Sequence, residues 1–302
     1  MENAVREKDR IRLAMILIAA LMAVVLIAGV AVVLLQDKPE ATADYEETRE
    51  LTTVATEEIW EEETMEEEDT SPASVLHLLP ENPYGKFDFQ YDGWYLKCTA
   101  ANSITGIDVS TYQGDIDWVK VKESGVDFAI VRLGYRGYES GKLVEDKYAR
   151  INLEGAAEAG VQLGAYFFSQ ALNVEEAREE AQFVLEMLKD YHITMPVVYD
   201  WENINSETAR TNGMDPYVAT DCAKAFLEII DEAGYWPMMY FNTFQSRKIF
   251  YLDQLMEYDF WLALYSDRLT FPYKVDMWQY TSTGTVPGIV GDVDVNVLFM
   301  NG

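Results

Sequence analysis

"QLGAYFFSQALNVEEAREEAQFVLEMLKDYHITMPVVYDWE" runs from Gln162 to Glu202, and its reading decides the fold. It opens on a short apolar run, QLGAYFF (162–168), which reads as a buried strand. Asn173 followed three residues later by Glu176 makes a capping-box-like helix start. Ala177, Ala181, Val184, Leu185 and Leu188 then recur at helical spacing. The stretch closes on a second apolar run, PVVYDWE (196–202). Strand, helix and strand in succession argue for a parallel sheet with helices packed outside it.

The same rhythm extends in both directions. ITGIDVS (104–110), FAIVRLGY (128–135), WPMMYFN (236–242), FWLALYS (260–266), VDMWQYT (275–281) and DVDVNVLF (292–299) bring the candidate strands to eight. DKYARINLEGAAEAG suggests a helix opening on Asp146 and stopping at Gly160. Asp215-Pro216 is a second helix start, Gly234 its stop, and Val218, Phe226, Ile229 and Ile230 its expected buried face. Eight strands suggest closure into a barrel. Only about 8 residues separate runs six and seven and about 10 separate seven and eight, whereas a parallel crossover needs about a dozen or more. The expected fold is therefore α/β, an irregular TIM-like barrel of five βα units followed by three strands, the last of them partly antiparallel.

Carboxylates gather at the strand ends, where a βα barrel places its chemistry. Asp108 ends run one, Asp200 and Glu202 end run four, and Asp292 and Asp294 lie in the last run. Side chains alternate along a strand, so Asp200 and Glu202 share a face, about 6.6 Å apart along it. If that face is the barrel interior, Val198, Asp200 and Glu202 climb from core to mouth, and Tyr199 and Trp201 face the helices. Crowded, partly desolvated carboxylates have their pKa values forced apart, and glycoside hydrolysis needs one protonated and one ionised partner. Taken alone, D-x-E on a strand also fits a metal site or a carboxylate paired with Arg132. Tyr166, Phe168, Tyr240, Tyr265 and Trp278 fall near strand ends as well. Together they would make an aromatic mouth on which sugar rings can stack.

The rest of the chain has a different character. Leu13 to Leu35 is an uncharged apolar stretch preceded by Arg6, Lys8, Arg10 and Arg12. At about 1.5 Å per residue it can cross a hydrocarbon core of ~30 Å, and it is longer than the h-region of a cleaved signal. The positive-inside tendency keeps residues 1–12 in the cytoplasm and everything after residue 35 outside. Residues 36–74 read as a disordered linker, because Asp37–Pro72 carries 15 acidic against two basic residues and few large apolar ones. Residues 75–102 suggest a small hairpin leading into the barrel at 103–302.

Of the 302 residues, 49% are hydrophobic, enough for a large core, and the formal charge is −29. Setting aside the linker (net −13) and the first 36 residues (net +1) leaves −17 on residues 73–302. That excess excludes nucleic acid as a partner, since phosphates are held mainly by Lys and Arg. Two cysteines, Cys98 and Cys222, allow at most one disulfide, and two histidines argue against a histidine-rich metal site. No feature calls for a metal or other cofactor.

GIDVSTYQGDIDW, VRLGYRGY, GAYFF, VVYDWE, AGYWPMMYFN and WQYTSTGTVPGIVGDVDVN, in that order, resemble glycoside hydrolase family 25, the lysozymes or N-acetylmuramidases. The resemblance covers about residues 103–302. It implies cleavage of the β-1,4 bond between N-acetylmuramic acid and N-acetylglucosamine in the glycan strands of peptidoglycan. It also implies Glu202 as general acid and Asp200 as the carboxylate that stabilises the reacting N-acetyl group. Asp108 and Asp294 match the family's remaining acidic positions, with Asp294 preferred over Asp292 on the VDVN match. A non-catalytic peptidoglycan receptor, or a hydrolase of another amino-sugar polymer such as chitin, would keep the same groove. Four retained acids disfavour the receptor.

Overall fold

The computed structural model describes residues 70–85 and 87–300. The expected cytoplasmic segment (1–12), the transmembrane helix (13–35) and nearly all of the acidic linker lie outside the described residues. Among the described residues, no helix is long and apolar enough to cross a membrane. Packed structure already includes the end of the expected linker. Pro72–Leu78 is a 3-10 turn with Leu76 buried, and the Tyr251 hydroxyl donates to the Thr70 carbonyl at 2.6 Å.

The expected lead-in hairpin is present. β1 (Phe89–Asp92) pairs antiparallel with β2 (Tyr95–Cys98) around Gly93, whose φ of 63° suits a tight turn. Phe89 sets its ring edge against Trp278 at 5.0 Å, fixing the hairpin to the outside of the barrel.

Eight strands close the barrel: β3 (Ser103–Val109), β4 (Phe128–Arg136), β6 (Gln162–Ser169), β7 (Val197–Trp201), β8 (Pro237–Asn242), β9 (Asp259–Ala263), β10 (Met277–Gly284) and β11 (Val293–Phe299). A short ninth strand, β5 (Leu143–Glu145), folds back antiparallel on the end of β4. Among the eight barrel strands the parallel pairing runs unbroken from β3 round to β10, and only β11 is antiparallel, to both β10 and β3. The irregularity expected of the last three strands is thus confined to one. β9 and β10 stay parallel because residues 264–276 make the crossover as an extended loop with no helix.

Helices α1 (Trp118–Glu123), α2 (Ala149–Glu158), α3 (Val174–Leu188), α4 (Pro216–Glu232) and α5 (Gln245–Lys248) connect the earlier strands. The start of α3 follows the sequence signal with one change. Asn173 caps the Glu176 N–H at 3.0 Å, but Glu176 reaches back to the Leu172 N–H, not to that of Asn173. α4 starts as expected, with Asp215 capping the Tyr217 N–H at 2.8 Å ahead of Pro216. α2 starts at Ala149, three residues later than Asp146. The Asp146 carboxylate is committed elsewhere: it accepts from Arg132, from the Thr111 N–H and from the Tyr148 N–H.

Two cores result, as a closed sheet requires. Phe128, Ile130, Val198, Met238, Trp261, Met277 and Leu298 fill the barrel. The other faces of the strands pack on the helices, the loops and the hairpin, with Tyr199 5.2 Å from Phe226 of α4 and Trp201 5.8 Å from Phe250. Val198 in, Tyr199 and Trp201 out, is the alternation expected of VVYDWE. Gly106 is required by this packing, because a Cβ there would sit 2.1 Å from the Phe128 ring. Cys98 and Cys222 are both buried and both free.

Candidate active site

The barrel opens at the C-terminal ends of its parallel strands into a cavity of about 570 Å³. Asp108 stands at the end of β3, and Asp200 and Glu202 at the end of β7. β11 runs the opposite way, so its first residues meet the same rim. There Asp294 lies directly opposite Asp108 in the ladder. All four carboxylates line the cavity. Asp292 is exposed and does not, because β11 begins only at Val293.

Asp108 is held by two amides, Gln279 Nε2 at 2.9 Å and Asn296 Nδ2 at 2.8 Å, both on Oδ2. The orientation of each amide is itself determined. Gln279 Oε1 accepts the hydroxyls of Tyr240 (3.2 Å) and Tyr265 (3.1 Å), and Asn296 Oδ1 accepts the Trp261 indole N–H (2.9 Å). Their amino groups are left to face Asp108. The Asp200 Oδ1 atom is different: it is buried with no hydrogen-bond partner. An acceptor left so typically costs about 1–3 kcal/mol until a donor arrives.

Burial and mutual repulsion raise the whole cluster. Asp108 is pushed well above the carboxylate range by burial and by Asp294, against the two amides. Asp200 is pushed well above it by burial, Glu202 and Asp108, against Arg132. Burial, then Asp294, raises Glu202. Burial pushes Asp294 up to about 6. Four interacting acids release their protons as a set, so the titration belongs to the cluster and not to any one carboxyl. Among the described residues, no three His, Cys, Asp or Glu side chains are grouped to hold a metal ion.

Of the aromatic residues expected at the mouth, Tyr166, Phe168, Tyr240 and Tyr265 line the cavity. Trp278 does not. Its neighbours Met277 and Gln279 point into the barrel, so Trp278 points out, fully buried, with its indole N–H donating to the Leu264 carbonyl at 2.8 Å. Arg132 does not pair with Asp200 either; its Nε and an Nη meet Asp146 Oδ2 at 2.8 and 2.7 Å.

Sequence reasoning missed the supports. Gln279 and Asn296 were legible as polar residues inside apolar strands. Gln170 donates to the Glu202 carbonyl at 2.8 Å and accepts from the Thr211 hydroxyl at 2.8 Å, and Gln245 donates to the Trp201 carbonyl. These two amides fix the backbone that carries Glu202.

Residues 107–289 match the family model for glycosyl hydrolases family 25. The chain belongs to glycosyl hydrolase family 25. Asp108, Asp200 and Glu202 fall inside the matched residues, and Asp294 lies just beyond them. Lysozyme M1 of Streptomyces globisporus is 26% identical over 212 residues, 65% of this chain and 67% of that protein. YegX of Escherichia coli (strain K12) is 29% identical over 217 residues, 67% and 72% of the two chains. Among solved structures, the modular autolysin LytC of Streptococcus pneumoniae superimposes with a TM-score of 0.57 at 29% identity. That match covers 66% of this chain and 47% of LytC, so the family 25 chain spans about half the autolysin's length.

Proposed function

We propose that this family 25 glycoside hydrolase is a lysozyme that cuts the β-1,4 bond between N-acetylmuramic acid and N-acetylglucosamine in peptidoglycan. Similarity to Lysozyme M1, and to LytC, whose structure is known in complex with a synthetic peptidoglycan ligand, supports this substrate. Glu202, raised by burial and at the rim, is the general acid and donates its proton to the leaving glycosidic oxygen. As the C1–oxygen bond breaks, the 2-acetamido carbonyl oxygen bonds to C1 and an oxazolinium ring closes. Asp200 accepts the acetamido N–H and stabilises the positive charge. Glu202, now ionised, takes a proton from water, which attacks C1 and reopens the ring with net retention.

The observation that carries this reading is the buried Asp200 Oδ1, an acceptor without a donor at the cavity wall. The acetamido N–H is a donor of the right kind for it. The remaining acids, Asp108 and Asp294, face the same cavity and stabilise developing positive charge.

The place of action follows from the sequence alone. Residues 13–35 anchor the chain as a single span with residues 1–12 in the cytoplasm. Residues 36–69 then act as an acidic tether holding the enzyme outside, within reach of the wall.

Purified full chain in detergent, incubated with peptidoglycan, releases reducing ends, and Glu202→Gln abolishes the release. No release by the wild type sinks the proposal. NMR of the first-formed product shows retained anomeric configuration; an inverted product rules out the N-acetyl route.

A further inference from the structure

A second cavity, of about 320 Å³, lies beside the mouth, between the loops that leave β8 and β9. Thr243, Phe244 and Arg247 form one side of it, and Thr270, Phe271 and Pro272 the other. The same two segments of chain carry Tyr240 and Tyr265, which line the carboxylate cavity. Thr243 follows Tyr240 by three residues, so their Cα atoms are at most about 11 Å apart. The two cavities are neighbours.

The walls of the second cavity are fixed by hydrogen bonds. Asn242 Oδ1 accepts the N–H groups of Phe244 and Gln245, each at 3.0 Å, and Gln245 Oε1 accepts the Asn242 N–H at 2.7 Å. Gln245 also donates to the Trp201 carbonyl, so the turn bearing Phe244 and Arg247 is tied to the strand that leads into Glu202. On the other side, Asn82 donates its side-chain amide to the Phe271 carbonyl at 3.0 Å and its backbone N–H to the Pro272 carbonyl at 2.9 Å. The Phe271 ring is buried against Phe241.

Arg247 is exposed, and among the described residues its guanidinium has no ion pair and no hydrogen bond. Residues 73–302 carry a net charge of −17, so carboxylates are not scarce. Arg132, the cation in the carboxylate cavity, is by contrast held by Asp146 through two nitrogens. Phe244 is exposed as well. The second cavity therefore presents a free guanidinium fork, suited to a carboxylate, beside an open apolar ring.

We infer that this cavity receives the peptide that branches from muramic acid, with Arg247 pairing with one of its carboxylates and Phe244 covering its small apolar side chains. The inference rests on the peptidoglycan reading above and extends it from the glycan to its branch. N-acetylated sugars are uncharged, so a peptide-bearing strand offers Arg247 no anion of its own. The carboxylates lie on the peptide, and each muramic acid that enters the mouth brings one with it. The branch leaves the sugar at C3, next to the 2-acetamido group assigned to Asp200. A peptide of about three residues, at ~3.3–3.6 Å each, covers the separation of the two cavities.

The test compares kcat/KM of the full chain on three soluble glycan fragments of equal length: one bearing peptides, one with the peptide carboxylates amidated, and one with the peptides removed. For the wild type, amidation lowers kcat/KM about threefold to fivefold, the size expected of a partly exposed ion pair, and does so through KM. Arg247→Met shows the same loss on the peptide-bearing fragment, is indifferent to amidation and matches the wild type on the peptide-free one. Arg247→Lys, which keeps the charge, retains part of the discrimination. An equal loss on all three fragments overturns the inference, as does an Arg247→Met enzyme that still discriminates like the wild type. A loss confined to fragments carrying a phosphate polymer of the wall assigns the cavity to that polymer and overturns the peptide. If Arg247→Met does not fold, Arg247→Gln is read in its place, and a wild type indifferent to amidation overturns the inference without any variant. Failure of the wild type to release reducing ends from all three fragments is a separate result, which removes the lysozyme reading itself.

Discussion

Asp108 of β3 and Asp294 of β11 are directly opposed in the antiparallel ladder that closes the barrel. Two carboxylates so placed repel each other, and like charges across a ladder destabilise it. The seam of the fold and the rim of the site are the same place.

Asp294→Asn should therefore stabilise the protein while impairing it. Burial holds the Asp294 pKa up at about 6 in the folded state, against 3.8 for an unperturbed group. Between those values the folded protein binds more protons than the unfolded one, so stability falls as pH rises. The variant should gain about 1–2 kcal/mol at pH 8 and nothing at pH 3.5. Thermal melts at the two pH values check this; equal gains at both would show that charge is not the cause.

Gln170 ties the end of β6 to the Glu202 carbonyl and to Thr211. Gln170→Leu keeps the volume and removes both bonds, so Glu202 is presented less accurately. We expect kcat to fall about tenfold or more with KM nearly unchanged. Initial-rate kinetics separate the two, and a change in KM alone would assign Gln170 to binding.

Much of this arrangement was legible in the sequence. Strand runs alternating with capped helices called for a barrel, and the two-residue spacing of Asp200 and Glu202 put both at its mouth. What could not be read was phase. One extra residue in β4, where the pairing with β6 jumps from Arg132 to Gly134, sends Arg132 and Tyr135 to the same side, and no residue type announces that bulge. The phase of β10 is set by its neighbours β9 and β11, so Trp278 was expected in the mouth while Gln279 occupies it. Nor does the sequence show that Asp146, placed like a helix cap, is drawn away by Arg132 some 14 positions earlier.

Trp278 and Tyr265 offer a direct contrast on this point. Trp278 is fully buried against Phe89 and Tyr280, so Trp278→Ala should cost about 3–5 kcal/mol of stability. Tyr265 is 58% exposed at the cavity rim. Tyr265→Ala should leave the melting temperature nearly unchanged and raise KM about fivefold, the equivalent of about 1 kcal/mol. The reverse pattern would restore Trp278 to the substrate side.

Glu180 on α3 lies outside the cavity, yet it should shape the pH dependence of folding. It is fully buried, with Oε1 on Arg136 Nε at 2.7 Å and Oε2 without a hydrogen-bond partner. Arg136 and Ser169 favour its anion, but burial outweighs them and raises its pKa from 4.5 to about 7. The Arg136 pKa is raised as well: burial works against it, but Glu180, Glu179 and Glu176 outweigh burial, and the Gly141 and Glu176 carbonyls also accept from it, so it stays charged. Because the folded-state pKa lies above the unfolded value, the folded protein holds a proton that the unfolded chain has released between pH 4.5 and 7. Stability from this group is fully present below pH 4.5 and declines as pH rises to 7, by at most about 3 kcal/mol. Glu180→Gln should flatten that decline, bringing urea midpoints at pH 5 and pH 7.5 closer together than in the wild type. An unchanged difference between the two midpoints would mean that Arg136 keeps Glu180 ionised throughout.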